Sequence, residues 1–139
     1  MSKIVLCDID GTIANNDHRQ HYLEGKKDWE GFFSELSSDT PIYEVINMVK
    51  DLFTSGKEIV FLTGRPEKYN YSTTLWLMDY FEFEINLVMR KNNDYRNKLI
   101  IKKELVEQNF DLDNIDLIID NDENLVSMWK DLGINTFQV

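Results

Sequence analysis

Five short apolar runs recur along the chain, and amphipathic segments separate them. The runs are KIVLC (3–7), EIVFL (58–62), NLVM (86–89), IDLII (115–119) and NTFQV (135–139). The first four are continuous rather than alternating, which is typical of strands buried on both faces. The fifth has residues that favour extended structure. The sequence therefore predicts a central, mostly parallel five-stranded sheet.

The segments between these runs carry apolar residues at helical spacing. They cover 42–53, 66–81, 99–106 and 125–132. Gly56 and Gly133 supply helix stops, and Pro66 fits the first turn of the second helix. Strands that alternate with helices predict a three-layer α/β/α, Rossmann-like fold with right-handed crossovers.

Residues 14–40 interrupt this alternation. The segment is too polar for a strand and only partly helical, and it follows the first strand directly. Ligands bind at that rim in folds of this class. We expect a single domain over residues 1–139, in which 14–40 is a small insertion that acts as a lid or cap.

Composition narrows the possible partners. The 139 residues carry 15 Lys and Arg against 25 Asp and Glu, a net charge of −10. Because phosphate neutralisation supplies most non-specific nucleic-acid affinity, a polyanion must be short, held by a local basic patch, or bridged by a metal. No run approaches the roughly 20 apolar residues of a membrane span. Cys7 is the only cysteine, which favours a cytoplasmic setting.

Polar side chains cluster just past the predicted strands. Because parallel strands end at one edge, these side chains gather in one crevice. They are Asp8, Asp10, Gly11 and Thr12; Thr63, Gly64 and Arg65; Arg90, Lys91, Asp94, Arg96, Lys98 and Lys102; and Asp120, Asn121 and Asp122. Two carboxylates one residue apart repel unless a cation lies between them. The set indicates a divalent metal held against a phosphate.

Four spaced motifs carry a family resemblance. DIDGT, LTGR, a lysine in IIKKE, and IIDND occur in this order, and they resemble the haloacid dehalogenase superfamily of phosphohydrolases. More narrowly, TGRPE, LVMRKNNDYR and IIDNDENLVSMWKDLGI resemble the 3′-phosphatase domain of bacteriophage polynucleotide kinase. The kinase phosphate loop GxxxxGK[ST] is absent from these 139 residues.

The resemblance implies a mechanism for the crevice. Asp8 would be the nucleophile that forms an aspartyl-phosphate. Asp10 would protonate the leaving alkoxide and then deprotonate water. Mg²⁺ would bind the Asp8 carboxylate, the Asp10 backbone carbonyl and Asp120. Thr63, helped by backbone N–H groups near Gly64, and Lys102 would contact the phosphoryl group.

The resemblance also suggests a substrate. Arg65, Arg90, Asp94 and Arg96 are expected to bind it, as a phosphorylated nucleotide or a short nucleic-acid end. A 3′-phosphate on a polynucleotide competes with a free nucleoside 5′- or 3′-monophosphate. A receiver-type phospho-accepting module is a further alternative, although its motif order differs. We expect no membrane and no obligate protein partner, and, for a phage protein, the host cytoplasm.

Several residues keep two interpretations. Lys98 competes with Lys102 as the phosphate lysine, and Asn121 replaces an aspartate that many family members carry. Asp122 acts in a second layer or through water. His18 and His21 either bind metal or have a surface or substrate-edge role.

The aromatic residues of the insertion also have two possible roles. Trp29, Phe32 and Phe33 either anchor the insertion as an apolar patch or stack on a base. Cys7 is expected to pack in the core.

Overall fold

The computed structural model describes residues 3–139, which contain seven strands and five α-helices. The strands are β1 (Ile4–Cys7), β2 (Ala14–Asn15), β3 (Thr40–Pro41), β4 (Glu58–Pro66), β5 (Leu87–Arg90), β6 (Ile115–Asp120) and β7 (Thr136–Gln138). The helices are α1 (Trp29–Ser34), α2 (Tyr43–Thr54), α3 (Asn70–Met78), α4 (Lys98–Asn109) and α5 (Glu123–Asp131).

Five of the strands form one parallel sheet in the order β5-β4-β1-β6-β7. Successive residues of β1 point to opposite faces. Val5 and Cys7 pack with α2 and α3, whereas Leu6 packs with α4 and α5. The predicted three-layer fold with a parallel five-stranded sheet is confirmed.

The insertion after β1 has its own small structure. β2 and β3 pair antiparallel at its base, and α1 and short 3₁₀ turns at 17–23 and 36–38 lie between them. Phe32 and Leu36 are buried, which holds the segment against the rest of the fold.

Pro66 departs from the sequence prediction. β4 continues to Pro66, which pairs with Arg90 of β5 beyond an irregularity in register. A 3₁₀ turn at 67–69 follows, and α3 begins only at Asn70. Strand pairing therefore overrides the helix-start signal of the proline.

The helices of residues 3–139 are all too short or too polar to cross a membrane.

Candidate active site

Three buried charged side chains meet where β1 and β6 end. Asp8 follows β1, Asp120 ends the neighbouring strand β6, and Lys102 reaches both from the second turn of α4. Lys102 Nζ lies 2.8 Å from Asp8 Oδ1 and 3.5 Å from Asp120 Oδ2. One ammonium thus offsets two carboxylates away from water.

Burial and charge act against each other on these groups. Burial raises the pKa of Asp8 to about 6, with Lys102 opposing the rise and Asp120 adding to it. Burial also lowers the pKa of Lys102, but attraction to Asp8 and Asp120 outweighs burial and raises it overall. Lys102 therefore keeps its positive charge and stabilises ionised Asp8.

A tight turn fixes the second oxygen of Asp8. Thr12 Oγ1 donates to Asp8 Oδ2 at 2.9 Å. Gly11 adopts φ +79°, and a Cβ there would collide with the side-chain amide of Asn121. The positive φ favours glycine at this position, and the absence of a Cβ leaves room for the Asn121 side chain.

Two arginines donate hydrogen bonds to the Asp10 carboxylate. Arg65 Nε and Nη2 donate to it at 3.0 and 2.9 Å, and Arg19 Nη2 donates at 2.6 Å. Burial favours the neutral carboxyl, but Arg65 and Arg19 outweigh it and lower the pKa of Asp10 to about 2. The Asp10 carboxylate is therefore ionised and paired with both guanidinium groups.

Asp39 completes this network. It is buried, accepts from Arg19 Nε and Nη2 at 2.7 Å each, and receives His18 Nε2 at 2.7 Å and Arg65 Nη2 at 3.3 Å. Sequence reasoning missed Arg19 and Asp39 as site residues. The only signal for them was their position in the insertion at the ligand-binding rim.

The Asp8 turn presents oxygens suited to a hard cation. The Asn121 side-chain amide donates to Asp10 O and Asp8 Oδ2 at 3.1 Å each, and to Thr12 Oγ1 at 3.2 Å. Carboxylate and backbone carbonyl oxygens are ligands that Mg²⁺ prefers. Asp8, Asp120 and the Asp10 carbonyl therefore fit the implied metal.

Histidine does not extend this donor set. His18 pairs with Asp39, and the His21 ring packs on Tyr22 with centroids 4.2 Å apart. Within residues 3–139, no three His, Cys, Asp or Glu side chains form a metal cluster. The histidine pair gives no second metal site there.

The sequence matches, over residues 2–139, the family described as the polynucleotide kinase PNKP phosphatase domain. The chain belongs to this family. It is accordingly a phosphatase of the haloacid dehalogenase superfamily, a phosphomonoester hydrolase, as the motifs predicted. Family membership excludes the receiver-type alternative.

Relatives of the phosphatase come from larger proteins. It is 30% identical over 137 residues to a protein of Autographa californica nuclear polyhedrosis virus named as a bifunctional polynucleotide kinase/RNA ligase, covering 96% of this chain and 19% of that protein. A chain of the Pnkp1/Rnl/Hen1 complex superposes with a TM-score of 0.82 at 30% identity, covering 100% of this chain and 46% of that one. The phosphatase therefore spans less than half the length of these relatives.

A more distant structure shares only the fold. The class C acid phosphatase from Bacillus anthracis superposes with a TM-score of 0.61 at 17% identity, covering 95% of this chain and 62% of that one.

The predicted substrate residues of the phosphatase lie in different surroundings. Arg65 is 1% exposed, and its guanidinium contacts Asp10, Asp39 and Thr73 rather than solvent. Arg90 donates to three backbone carbonyls, those of Gly64, Asp94 and Arg96.

The remaining predicted residues occupy the rim of the site. Arg96 binds Asp94 at 2.8 Å and also Glu104, and the hydrogen bond from Arg96 lowers the pKa of Asp94 to about 2. Lys98 pairs with Asp122, which caps α5 through its other oxygen. Of the two competing lysines, only Lys102 contacts Asp8.

Thr63 is buried inside β4, rather than just past the strand as predicted, and its Oγ1 accepts from Arg65 N at 3.1 Å. That bond leaves the hydroxyl proton available for another acceptor.

A groove of about 670 Å³ begins at this edge of the phosphatase. Gly64 and Pro66 of β4 line it, together with α1 and the segment 90–98. Of the insertion aromatics, Phe32 is buried and anchors α1, whereas Trp29 and Phe33 line the groove.

Proposed function

We propose that this phosphatase removes 3′-phosphates from polynucleotide ends or nucleotides through an aspartyl-phosphate on Asp8, with Mg²⁺ as cofactor. The observation that carries the proposal is the buried Asp8 at the end of β1, oriented by Lys102 and Thr12. The description of the family, the polynucleotide kinase PNKP phosphatase domain, and the name of the viral relative, a bifunctional polynucleotide kinase/RNA ligase, support the substrate class.

Asp8 is proposed as the nucleophile. One carboxylate oxygen forms a bond to phosphorus while the ester P–O bond breaks, and the leaving alkoxide takes a proton from Asp10. Water then gives a proton to Asp10 and attacks phosphorus, which releases inorganic phosphate and restores the Asp8 carboxylate.

Asp10 needs its proton only when substrate is present. In the free protein, Arg19 and Arg65 favour the ionised form. A dianionic phosphate beside Asp10 adds negative charge, which raises the carboxyl pKa and competes for both guanidinium groups. Asp10 thus gains acid character at the moment the leaving group requires it.

The remaining groups hold the phosphoryl oxygens. Lys102 supplies a fixed positive charge, and the Thr63 hydroxyl and the backbone near Gly64 supply hydrogen-bond donors. Residues that would hold Mg²⁺ are Asp8, the Asp10 carbonyl and Asp120, with Asn121 close to the first two. When bound, the ion neutralises charge on the nucleophile and the phosphate.

Asp8→Asn tests the nucleophile. We expect loss of phosphate release from p-nitrophenyl phosphate, with the thermal transition retained, and a phosphorylated Asp8 peptide in rapid-quench mass spectrometry of the wild type only. Asp17→Asn, on the exposed part of the insertion, is the matched control and keeps activity. Turnover by Asp8→Asn would refute the assignment.

A substrate comparison tests the specificity. We expect the highest kcat/KM on 3′-phosphorylated oligonucleotides, above 5′-phosphorylated ones and sugar phosphates. A preference for sugar phosphates would overturn the nucleic-acid assignment.

Hydrolysis of free nucleoside monophosphates is the second candidate function. The net charge of −10 disfavours long polyanions, and the groove is large enough for a small-molecule ligand. Equal kcat/KM on 3′-mononucleotides and oligonucleotides would favour this function.

A further inference from the structure

We propose that the groove beside the catalytic edge binds the nucleotides preceding the terminal phosphate of a single-stranded end, by base stacking on Trp29 and Tyr95 and by backbone contacts with lysines. The substrate part of this inference rests on the proposed function. The groove itself is argued from exposed rings, charge and continuity with the active site.

Exposed aromatic rings line the groove. Trp29 is 49% exposed although it belongs to α1, and its ring lies nearly parallel to Phe33 with centroids 6.0 Å apart. Phe33 in turn contacts Tyr69 at 5.0 Å. This row of rings offers flat faces on which any base can stack, which is how single-stranded nucleic acid is bound without sequence preference.

A further ring comes from the segment after β5. Tyr95 is 88% exposed, and its hydroxyl donates to Asn93 Oδ1 at 3.2 Å. The Arg90 guanidinium connects this segment to β4, because it donates hydrogen bonds to the backbone carbonyls of both Asp94 and Gly64. The Tyr95 ring is therefore exposed on an anchored segment, which lowers the entropic cost of stacking.

The charge of the groove is opposite to that of the molecule. Its lining holds six of the chain's 15 Lys and Arg but two of its 25 Asp and Glu. Arg90, Arg96 and Lys98 are engaged by protein groups.

Three lysines of the lining remain for a ligand. Lys27, Lys68 and Lys91 form no direct ion pair within residues 3–139, although the charge of Lys91 helps to lower the pKa of Glu104. Lys27 lies 5.7 Å from the centre of the Trp29 ring, and Lys68 lies 5.3 Å from the centre of the Tyr69 ring. Ammonium groups next to flat rings suit a ligand that alternates phosphates with bases.

The groove adjoins the Asp8 site at two points. At the first, the groove residue Gly64 follows Thr63 directly in the chain. At the second, the groove residue Lys98 pairs with Asp122, two residues after Asp120. A phosphate at Asp8 would therefore leave the adjoining nucleotides in the groove. An acidic peptide would satisfy the lysines but not the rings, so nucleic acid is the occupant that uses both.

Binding of a fluorescent single-stranded oligonucleotide with a 3′-hydroxyl tests the groove independently of catalysis. We expect Trp29→Ala and Tyr95→Ala each to weaken binding about tenfold, a loss that lies within the stacking range. Trp29→Phe should restore most of the affinity. Tyr71→Ala, which removes a 66% exposed ring on α3 outside the groove, should leave it unchanged.

Salt dependence tests the lysines. The double substitution Lys27→Ala with Lys68→Ala should reduce the slope of log affinity against log salt by about 1.4, as expected for two phosphates on a single strand. Single-stranded DNA and RNA are compared to identify the sugar. An acidic phosphopeptide that binds as tightly as the oligonucleotide would overturn the inference.

Hydrolysis separates this inference from the proposed function. The ratio of kcat/KM for a 3′-phosphorylated oligonucleotide to that for p-nitrophenyl phosphate should fall about tenfold in Trp29→Ala. An effect no larger than that of Tyr71→Ala would overturn the groove assignment. Oligonucleotide binding that depends on Trp29, without release of a 3′-phosphate, would support the groove and refute the proposed function.

Discussion

At Asp8, one ammonium group opposes the effect of burial on the carboxyl pKa. Replacing Lys102 by Met would leave Asp8 and Asp120 without that cation. Removing one partner of a buried ion pair leaves the other charge buried and uncompensated. We therefore expect the free energy of unfolding to fall by about 3 kcal/mol. Phosphate release should fall below detection. Denaturant unfolding and a phosphate assay measure the two effects.

Lys98→Met is the matched control for Lys102→Met. Lys98 is half exposed and pairs with Asp122 at the rim, so the free energy of unfolding should change by less than about 0.5 kcal/mol. A larger loss of turnover in Lys98→Met than in Lys102→Met would identify Lys98 as the phosphate lysine.

Asp10→Asn separates acid catalysis from binding. Without a proton donor, alkyl phosphates, whose leaving alkoxide is strongly basic, should slow by about 10²–10⁴. p-Nitrophenyl phosphate, which releases a weakly basic phenolate, should slow far less. Steady-state kcat on both esters measures the difference, and an equal loss on both would refute the acid role.

Gly11→Ala combines a backbone cost with a clash. The left-handed φ costs about 1 kcal/mol, and the new methyl group would collide with Asn121. Gly25→Ala also requires a positive φ, +60°, but a Cβ there has no atom within 4 Å. Thermal melting should therefore show a larger loss for Gly11→Ala. Equal losses would mean that the turn moves away from Asn121 without cost.

At the scale of elements, Arg90 joins β4 to the segment that precedes α4. In Arg90→Lys, a single ammonium cannot reach the three carbonyls that the guanidinium contacts. We expect faster amide hydrogen exchange across 91–97, with unchanged exchange in the buried strand residues 59–62 as an internal control. Unchanged exchange at 91–97 would show that other contacts hold the segment.

The sheet was predictable because its strands are apolar on both faces and end in polar clusters. The beginning of α3 was not, since Pro66 is a plausible first helical residue until its pairing with Arg90 is known. The path of the insertion was unpredictable as well. The buried Arg19–Asp39 ion pair anchors the insertion. Charged residues in an irregular segment show no hydrophobic periodicity from which their burial could be predicted.

At the scale of the whole molecule, a bound metal should stabilise the native state. Adding Mg²⁺ to protein treated with a chelator should raise the midpoint of thermal unfolding. At a free Mg²⁺ concentration a hundredfold above Kd, the free energy of unfolding should increase by about 2.7 kcal/mol. Asp120→Asn should reduce that increment. Sodium chloride at equal ionic strength is the control, and no difference between the two salts would contradict the metal site.

The meeting of Asp8 and Asp120 could be predicted, because both lie at the same edge of a parallel sheet. Lys102 reaches them from α4, and the sequence left it in competition with Lys98. Their proposed roles stay predictions. The orientation of Arg65 could not be predicted, since Arg65 turns inward only because Asp10 and Asp39 lie there. Likewise, Arg90 was expected to bind substrate, and its three carbonyl acceptors become visible only in three dimensions.

Arg19 links the insertion to the turn after β1, since one guanidinium contacts Asp39 near the end of the insertion and Asp10 on that turn. Replacing the insertion by the cap of another enzyme of this superfamily would therefore remove Arg19, one of the two guanidinium groups that contact Asp10. A chimera has to carry an equivalent arginine, or the pKa of Asp10 rises toward its usual range. The identity of the insertion and the ionisation of Asp10 are in this way coupled.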